Sequence, residues 1–391
     1  MTVRPGSVAL TALLALFTTI GPLSIDLYVP ALPELARTLG ASDAAAQLTI
    51  SIFIFGFAGG QLVHGPVSDR YGRRPVLLVS LAIFCVGSLA CAAAPTVWLL
   101  IAARLVQGFG AAGAIVLARA VIRDLYEGTR AARELSLMAM IMGLAPIVAP
   151  LVGGMLQTVF GWRAEFMFIF AAGAIATVLA WLLLPETRHQ DGAAPHRFGE
   201  VLASFGTVAR HRGFLLNIAM ASLTFAGLFA WISGSPFVLQ NLYGLSPLAY
   251  GVVFATSACG FIIGTSFAVR FVGRIGLDLT IGIGAGLLAV AGIALIAAVA
   301  LLPRTGFSLA VPAALYLAGM GLVMPQSFAA SLQPFPDRAG VASSLGGVIQ
   351  QSAAAITGIA VGHMLGASAW PLALPMAAGR MADARGVVVE P

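Results

Sequence analysis

The chain has 391 residues, of which 59% are hydrophobic and 9% charged, with a formal net charge of +6 and a mean hydropathy of +0.97. Soluble globular proteins carry roughly 25% charged and about 45–50% apolar residues, so these proportions exclude a water-soluble enzyme or nucleic-acid-binding domain and point to an all-α polytopic membrane protein. All 21 positive charges are Arg, and Cys85, Cys91 and Cys259 lie inside apolar runs, with neither a disulfide framework nor metal-ligand spacing around them.

The first apolar run starts at Val8 after Arg4. It has the flanks of a signal peptide but no small-residue cleavage site before a polar mature sequence, so it reads as a retained helix. Apolar segments recur at about 8–30, 45–65, 75–94, 97–119, 135–157, 164–184, 213–237, 248–270, 279–302, 307–331 and 339–363, each near the ~20 residues that cross a bilayer. A twelfth candidate at 366–379 is interrupted by Pro371 and Pro375 and followed by Arg380, Asp383 and Arg385. It is too short to cross as a straight helix and reads as a degenerate or truncated span, re-entrant or locally thinning the bilayer.

This divides the chain into a six-helix bundle over 1–186, a polar cytoplasmic linker over 187–212 and a second bundle over 213–391 with five clear spans and a weak sixth. Phe198, Val201, Leu202, Phe205 and Val208 fall at helical spacing in the linker, the pattern of a short amphipathic helix on the membrane surface or else a solvated loop. The pairs Gly56/Gly60, Gly108/Gly113 and Gly282/Gly286 suit close helix packing.

With a cytoplasmic N-terminus, one side of the membrane holds Arg4, Arg70, Arg73, Arg74, Arg119, Arg123, Arg130, Arg133, Arg188, Arg197, Arg210, Arg212, Arg270, Arg274 and Arg338. The other holds Arg37, Arg163 and Arg304. The asymmetry marks the first side as inner and accounts for the basic balance without a nucleic-acid partner.

Between spans two and three, Gly65-Pro-Val-Ser-Asp-Arg-Tyr-Gly-Arg-Arg-Pro75 forms a tight turn. Gly65 and Gly72 supply backbone freedom, and Asp69 is placed to cap a helix or pair with Arg70, Arg73 or Arg74. The pattern G-x-x-x-D-R-x-G-R-R resembles the signature loop of the major facilitator superfamily. Ser24-Ile-Asp-Leu-Tyr-Val-Pro-Ala-Leu-Pro33, Arg104-Leu-Val-Gln-Gly108, Ala145-Pro-Ile-Val-Ala-Pro-Leu-Val-Gly-Gly154, Pro185-Glu-Thr-Arg188, Ser222–Phe237 and Asp337–Leu345 narrow the match. Together they are similar to its proton-coupled drug exporters, in particular the bicyclomycin-resistance (Bcr/CflA) group. The resemblance covers roughly residues 20–375. It implies a major facilitator fold of two six-helix bundles, alternating access, a monomer in a bacterial inner membrane, and export of small molecules driven by the proton gradient without a cofactor. In the antiporter motif, Pro146, Pro150, Gly153 and Gly154 match, while Ala149 stands where Gly is usual.

Within the spans Asp26 is the one deeply placed carboxylate, and intramembrane ionisable residues are functional candidates by default. Asp26 and Arg104 fall at similar depths, roughly 6–10 Å below the outer surface at 1.5 Å per residue, so the two can meet across the bundle. Burial and a neighbouring Arg pull a carboxyl's proton affinity in opposite directions, which suits a proton carrier. Gln107, one turn from Arg104, is its candidate polar partner. Glu134, Glu165, His64 and His363 sit near span ends and read as solvated or locally paired. Spans seven to eleven hold no deeply placed ionisable group, so Tyr28, Phe225, Phe229, Trp231, Met324, Gln326, Gln350 and Gln351 are candidates to line a cavity for amphipathic drugs. The expected activity is proton-coupled drug efflux. The alternatives are export of a natural metabolite, such as an amino acid or siderophore, and a transport-dead membrane sensor or scaffold. No ATP-binding loop or nucleophile–base pair suggests an enzyme.

Overall fold

The computed structural model describes residues 7–126, 128–187, 205–335, 339–365 and 368–377, and the regular structure in them is helical. Eleven helices among the described residues are long and apolar enough to cross a membrane, the number read from hydropathy. In the first half these are formed by α1 (Val8–Asp26) with a 3₁₀ turn (Val29–Ala31) and α2 (Leu32–Thr38), then α3 (Asp43–Tyr71), α4 (Arg73–Ala93), α5 (Val97–Leu125), α6 (Gly128–Phe160) and α7 (Trp162–Leu183). The second half holds α8 (Arg212–Pro236) with a π-helical extension (Phe237–Leu242), α9 (Pro247–Ile275), α10 (Leu277–Leu301), α11 (Gly306–Leu332), α12 (Ala339–Met364) and a short α13 over 370–377.

The chain forms two compact units. One comprises Met1–Ala41 and Ile52–His196, the other Ser42–Ser51 and Arg197–Pro391. The start of α3 therefore groups with the second unit, where the Gln47 amide donates to Ser51 at 3.0 Å and to Ser233 at 3.1 Å. Residues 188–204 of the expected linker lie outside the described residues.

Two helix interruptions depart from a reading of uninterrupted spans. An α-helix continuing past Asp26 needs an N–H at position 30 to bond the Asp26 carbonyl, and Pro30 has none. Regular α1 ends at Asp26 and the chain resumes as α2. In the second unit α8 likewise changes at Pro236 into the π-helical turn.

In the first unit α4 packs on α5 and α7, while α1 packs on α5, α6 and α7. The glycine pairs of α3 and α5 face each other: a Cβ at Gly56 would overlap the Leu105 carbonyl, and one at Gly108 the Phe53 carbonyl. In the second unit α11 packs against α8, α9 and α10, and α12 against α8. Gly282 and Gly286 face open space, contrary to the expectation for that pair. The close approach belongs to Gly284, whose Cβ would lie 3.0 Å from the Gly319 carbonyl, because one position along a helix turns a side chain by about 100°.

Exposed apolar side chains such as Trp98, Val159, Ile175, Trp181, Val269 and Val311 present a surface suited to hydrocarbon. At the weak end, α13 spans about 12 Å at 1.5 Å per residue and forms no twelfth crossing among the described residues. It is nevertheless docked, with Leu372, Ala373 and Met376 buried and Ala377 against Gly292 of α10. In the linker, Phe198, Val201 and Leu202 lie outside the described residues. Residues 205–208 form a helical turn, and Val208 is buried against Phe214, Ile218 and Ala342. Val208 thus faces protein.

Candidate functional site

Asp26 is 5% exposed and sits at the break that ends α1. Among the described residues the ion pairs are Arg73–Asp69 and Arg73–Asp124, and Asp26 is in neither. Arg104 of α5 is fully buried. Its Nη1 donates to the Ser24 carbonyl at 3.0 Å and to Gln107 Oε1 at 2.7 Å. Arg104 thus reaches α1 through a backbone carbonyl two residues ahead of the acid, and not through the Asp26 carboxylate. The helix break explains this. The ordinary donor to Ser24, the Tyr28 N–H, bonds Ile25 instead at 3.3 Å, which leaves the Ser24 carbonyl open to a side chain.

Three rings enclose the guanidinium. Its carbon lies 4.9 Å from the centroid of Tyr28, 4.3 Å from that of Phe53 and 5.8 Å from that of Phe166, positions where ring quadrupoles attract a cation. Gln107 Nε2 passes the polar contact on to Ser88 Oγ at 2.8 Å. Arg104, Gln107 and Ser88 therefore link α1, α5 and α4 through an otherwise apolar interior.

The antiporter motif meets the same place. Pro146 and Pro150 lie inside α6, and Ala149 is buried. A Cβ at Gly153 would overlap the Leu27 carbonyl, immediately after Asp26. Gly154 is buried, its carbonyl accepting from Thr158 at 2.6 Å. The motif lets α6 approach the interrupted end of α1.

At the Arg-rich ends of these helices, Gly72 separates α3 from α4 with φ of 99°, a conformation that favours glycine. Of its two expected roles, Asp69 takes the ion pair, with Arg73 one turn along. The cap of α4 is Glu186, whose carboxylate accepts from the Arg73 N–H at 2.8 Å and the Arg74 N–H at 3.2 Å, where a helix N-terminus favours negative charge. Arg73 also donates to Asp124 at 2.8 Å and to Ser68 at 2.8 Å. Arg74 donates to the Trp181 carbonyl at 2.6 Å. Arg70 is exposed, its guanidinium 5.4 Å from the Tyr71 ring, and Gly65 accepts from Ser68 at 2.7 Å. This network ties together the ends of α3, α4, α5 and α7. Sequence reading missed Asp124 and the role of Glu186, although Glu186 stands in the quoted Pro185–Arg188 segment.

Of the candidate cavity residues, Tyr28 is buried beneath Arg104, and Phe229 and Trp231 are core side chains. Phe225, Met324, Gln326, Gln350 and Gln351 are half-buried, and Phe225 packs in a tilted pair with Phe229, centroids 5.0 Å apart. At the span ends His64 and Glu134 have hydrogen-bond partners, and Glu165 departs from the expectation. His64 is buried, with Nδ1 2.7 Å from the Gly60 carbonyl. Glu134 accepts from Thr11 at 2.7 Å. Glu165 is fully buried, and neither of its oxygens has a hydrogen-bond partner among the described residues. Its side of α7 packs inward, which position along a span does not reveal.

Residues 14–358 match the pattern of the Major Facilitator Superfamily. The chain is 34% identical over 349 residues to the uncharacterized MFS-type transporter YdgK of Bacillus subtilis (strain 168), covering 87% of this chain and 85% of that protein. It is 32% identical to multidrug resistance protein D of Escherichia coli (strain K12), covering 89% and 86%. With the bicyclomycin resistance protein homolog of Haemophilus influenzae it shares 29% identity, covering 93% and 92%. The fold is that of a D-xylose-proton symporter, with a TM-score of 0.76 at 16% identity over 95% of this chain and 96% of that one. The chain belongs to the major facilitator superfamily and is a multi-pass membrane transporter.

Proposed function

We propose that this major facilitator chain exports drug-like small molecules across a bacterial inner membrane in exchange for protons. The observation that carries the reading is Asp26, a nearly fully buried carboxyl without an ion pair among the described residues. It lies at a helix break two residues from the carbonyl that Arg104 holds. Interrupted helices in corresponding halves of a transporter mark sites where backbone and side chains meet substrate or coupling ions, and the breaks at Asp26 and Pro236 fit that pattern. The printed names of two relatives, multidrug resistance protein D and bicyclomycin resistance protein homolog, support drugs as the cargo. The arginine asymmetry supports a cytoplasmic N-terminus.

In the cycle, the outward-open carrier takes a proton on Asp26. After the carrier turns inward, substrate binding displaces that proton, and the substrate leaves outward as the carrier returns. Arg104 positions the acid's backbone and lends positive potential when the carboxyl is ionised. Gln107 and Ser88 hold Arg104 in place. The Gly72–Glu186 network at the Arg-rich ends holds one conformation and yields in the other. Each charge moved gains about 2.3 kcal/mol per 100 mV of membrane potential, and no cofactor is required. Half-buried Phe225, Gln326, Gln350 and Gln351 supply apolar and neutral polar contacts to a substrate in a monomeric carrier.

The test is proton movement in inverted vesicles holding a pH gradient, comparing the unaltered chain with Asp26→Asn while adding antibiotics and dyes. The expected result is dissipation by at least one compound in the unaltered protein and none in the variant at equal expression. Dissipation by no compound, with the protein inserted and folded, would remove the drug-exporter reading. An unimpaired variant would remove Asp26 from the mechanism.

A further inference from the structure

Glu165 lies in the first turn of α7, fully buried, with neither Oε1 nor Oε2 hydrogen-bonded among the described residues. An acid there commonly caps its own helix or answers the positive end of the helix dipole. Here no N–H of that first turn reaches it. An ionised carboxylate without donors in an apolar interior costs several kcal/mol more than a paired one. A neutral carboxyl is far cheaper, so the protein tolerates this side chain only with a proton on it or with a partner supplied by another conformation.

The surroundings connect it to the proposed site. The next residue, Phe166, packs on Tyr28 with centroids 5.0 Å apart and is one of the three rings around Arg104. Glu34 of α2 lies within electrostatic range of Glu165. Glu34 is half-buried and accepts from the Gln157 amide of α6 at 2.8 Å. The charged and titratable groups about this end of α7 can be named element by element. They are Glu34 on α2, Asp26 at the end of α1, Arg104 of α5 beyond the Phe166 ring, and Arg163 of α7 itself, which turns away to the Ala94 carbonyl at 3.1 Å. From α6 the group present is the neutral Gln157. From α4 it is the buried Cys91, whose thiol donates to Gln107 Oε1 at 3.9 Å, and from the turn after α1 it is Tyr28, packed on Phe166.

We propose that Glu165 is a second proton-carrying carboxyl of the transport cycle, loaded in this conformation and emptied toward the half-buried Glu34 when the first unit rearranges. Emptying breaks the Glu165 O–H bond and hands the proton to the Glu34 carboxylate and thence to water, leaving Glu165 ionised. The inference rests on the antiport reading and adds to it a second carrier in the same unit.

The experiment uses the full chain in lipid nanodiscs, with ethidium, chloramphenicol and tetracycline as probes and a pH dye counting protons released per probe bound. The unaltered protein is compared with Glu165→Gln, Glu165→Asp, Asp26→Asn and the Asp26→Asn/Glu165→Gln pair. Glu165→Gln should bind the probe but release one proton fewer, Glu165→Asp should restore the count, and the double variant should release none. An unchanged count and pH profile in Glu165→Gln would overturn the proposal while leaving drug export intact. No release by the unaltered protein would overturn the antiport reading instead. A second measurement needs no transport: the infrared C=O band of a protonated buried carboxyl should diminish in Glu165→Gln. An undiminished band would overturn the proposal even for a variant that fails to transport.

Discussion

The guanidinium of Arg104 donates to the side-chain oxygen of Gln107 at 2.7 Å, one helical turn along α5. Gln107 in turn donates to Ser88 of α4 at 2.8 Å. This chain of neutral groups leaves the charge of Arg104 undiminished while fixing its direction, which a salt bridge would not do. The same residue holds the Ser24 carbonyl, so one side chain ties α5 to the interrupted end of α1.

Removing either member should be costly, and unequally so. Arg104→Ala strips Ser24, Gln107 and three rings of a shared partner and should lose about 3–5 kcal/mol, the scale of a broken buried charged network. Gln107→Ala should lose about 1–3 kcal/mol, the cost of an unsatisfied buried group. Thermal unfolding in detergent of the two single variants and the double should return a coupling of about 0.5–3 kcal/mol. Additive losses would show that the two side chains act independently.

Gly72 carries φ of 99°, and a Cβ there would lie 2.6 Å from the Glu186 carboxylate. Gly72→Ala should therefore cost about 1–3 kcal/mol in backbone strain and displace the cap of α4. Glu186→Gln keeps the shape and loses the charge, so it should cost less, about 0.5–1 kcal/mol. Both should shift the balance of conformations, read as the rate of cysteine labelling at positions 68 and 187. Equal labelling in all three proteins would detach this loop from the conformational change.

Gly153→Ala places a methyl on the Leu27 carbonyl and must push α6 away from the residue that follows Asp26. It should slow efflux and lower the unfolding temperature. Ala149→Gly, in the same helix, removes one buried methyl and should cost only about 1 kcal/mol through helix propensity. Similar efflux from both variants would show that the close approach at Leu27 is dispensable.

The second unit offers a rescue. Tyr316 donates to the Thr224 carbonyl at 3.0 Å, and a Cβ at Gly227 would overlap the Tyr316 hydroxyl. Gly227→Ala should destabilise by the overpacking range of about 1–3 kcal/mol. Tyr316→Phe alone should cost about 0.5–1.5 kcal/mol, one hydrogen bond. The double variant should be more stable than Gly227→Ala alone, measured by thermal unfolding. A double variant that simply sums the two losses would show that the ring Cζ, 2.5 Å from the added Cβ, and not the hydroxyl sets the cost.

Much of this was open to reading along the chain. Hydropathy found every span among the described residues, because a bilayer demands about twenty apolar residues whatever their neighbours. Arg104 and Gln107 at one-turn spacing are joined by the geometry of a single helix, and Pro30 writes the break at Asp26 into the sequence by withholding one N–H. Glu165 was misread for the opposite reason: its distance from the span end is a property of the chain, but its burial is a property of what packs on α7.

The glycine run 282–286 makes the same point. Three small residues alternate along one turn, and only the neighbouring helix selects Gly284 as the contact. Local pattern along the chain carries the all-helical membrane architecture, the family motifs and the acid within the first span. The tertiary structure decided that Arg104 meets the Ser24 carbonyl, that Glu186 caps α4, and that Glu165 is sealed from water. The division follows from range: hydrogen bonding within a helix and transfer into lipid act over a few residues or on one segment. Partner choice is set by the rotation and separation of helices distant in the chain.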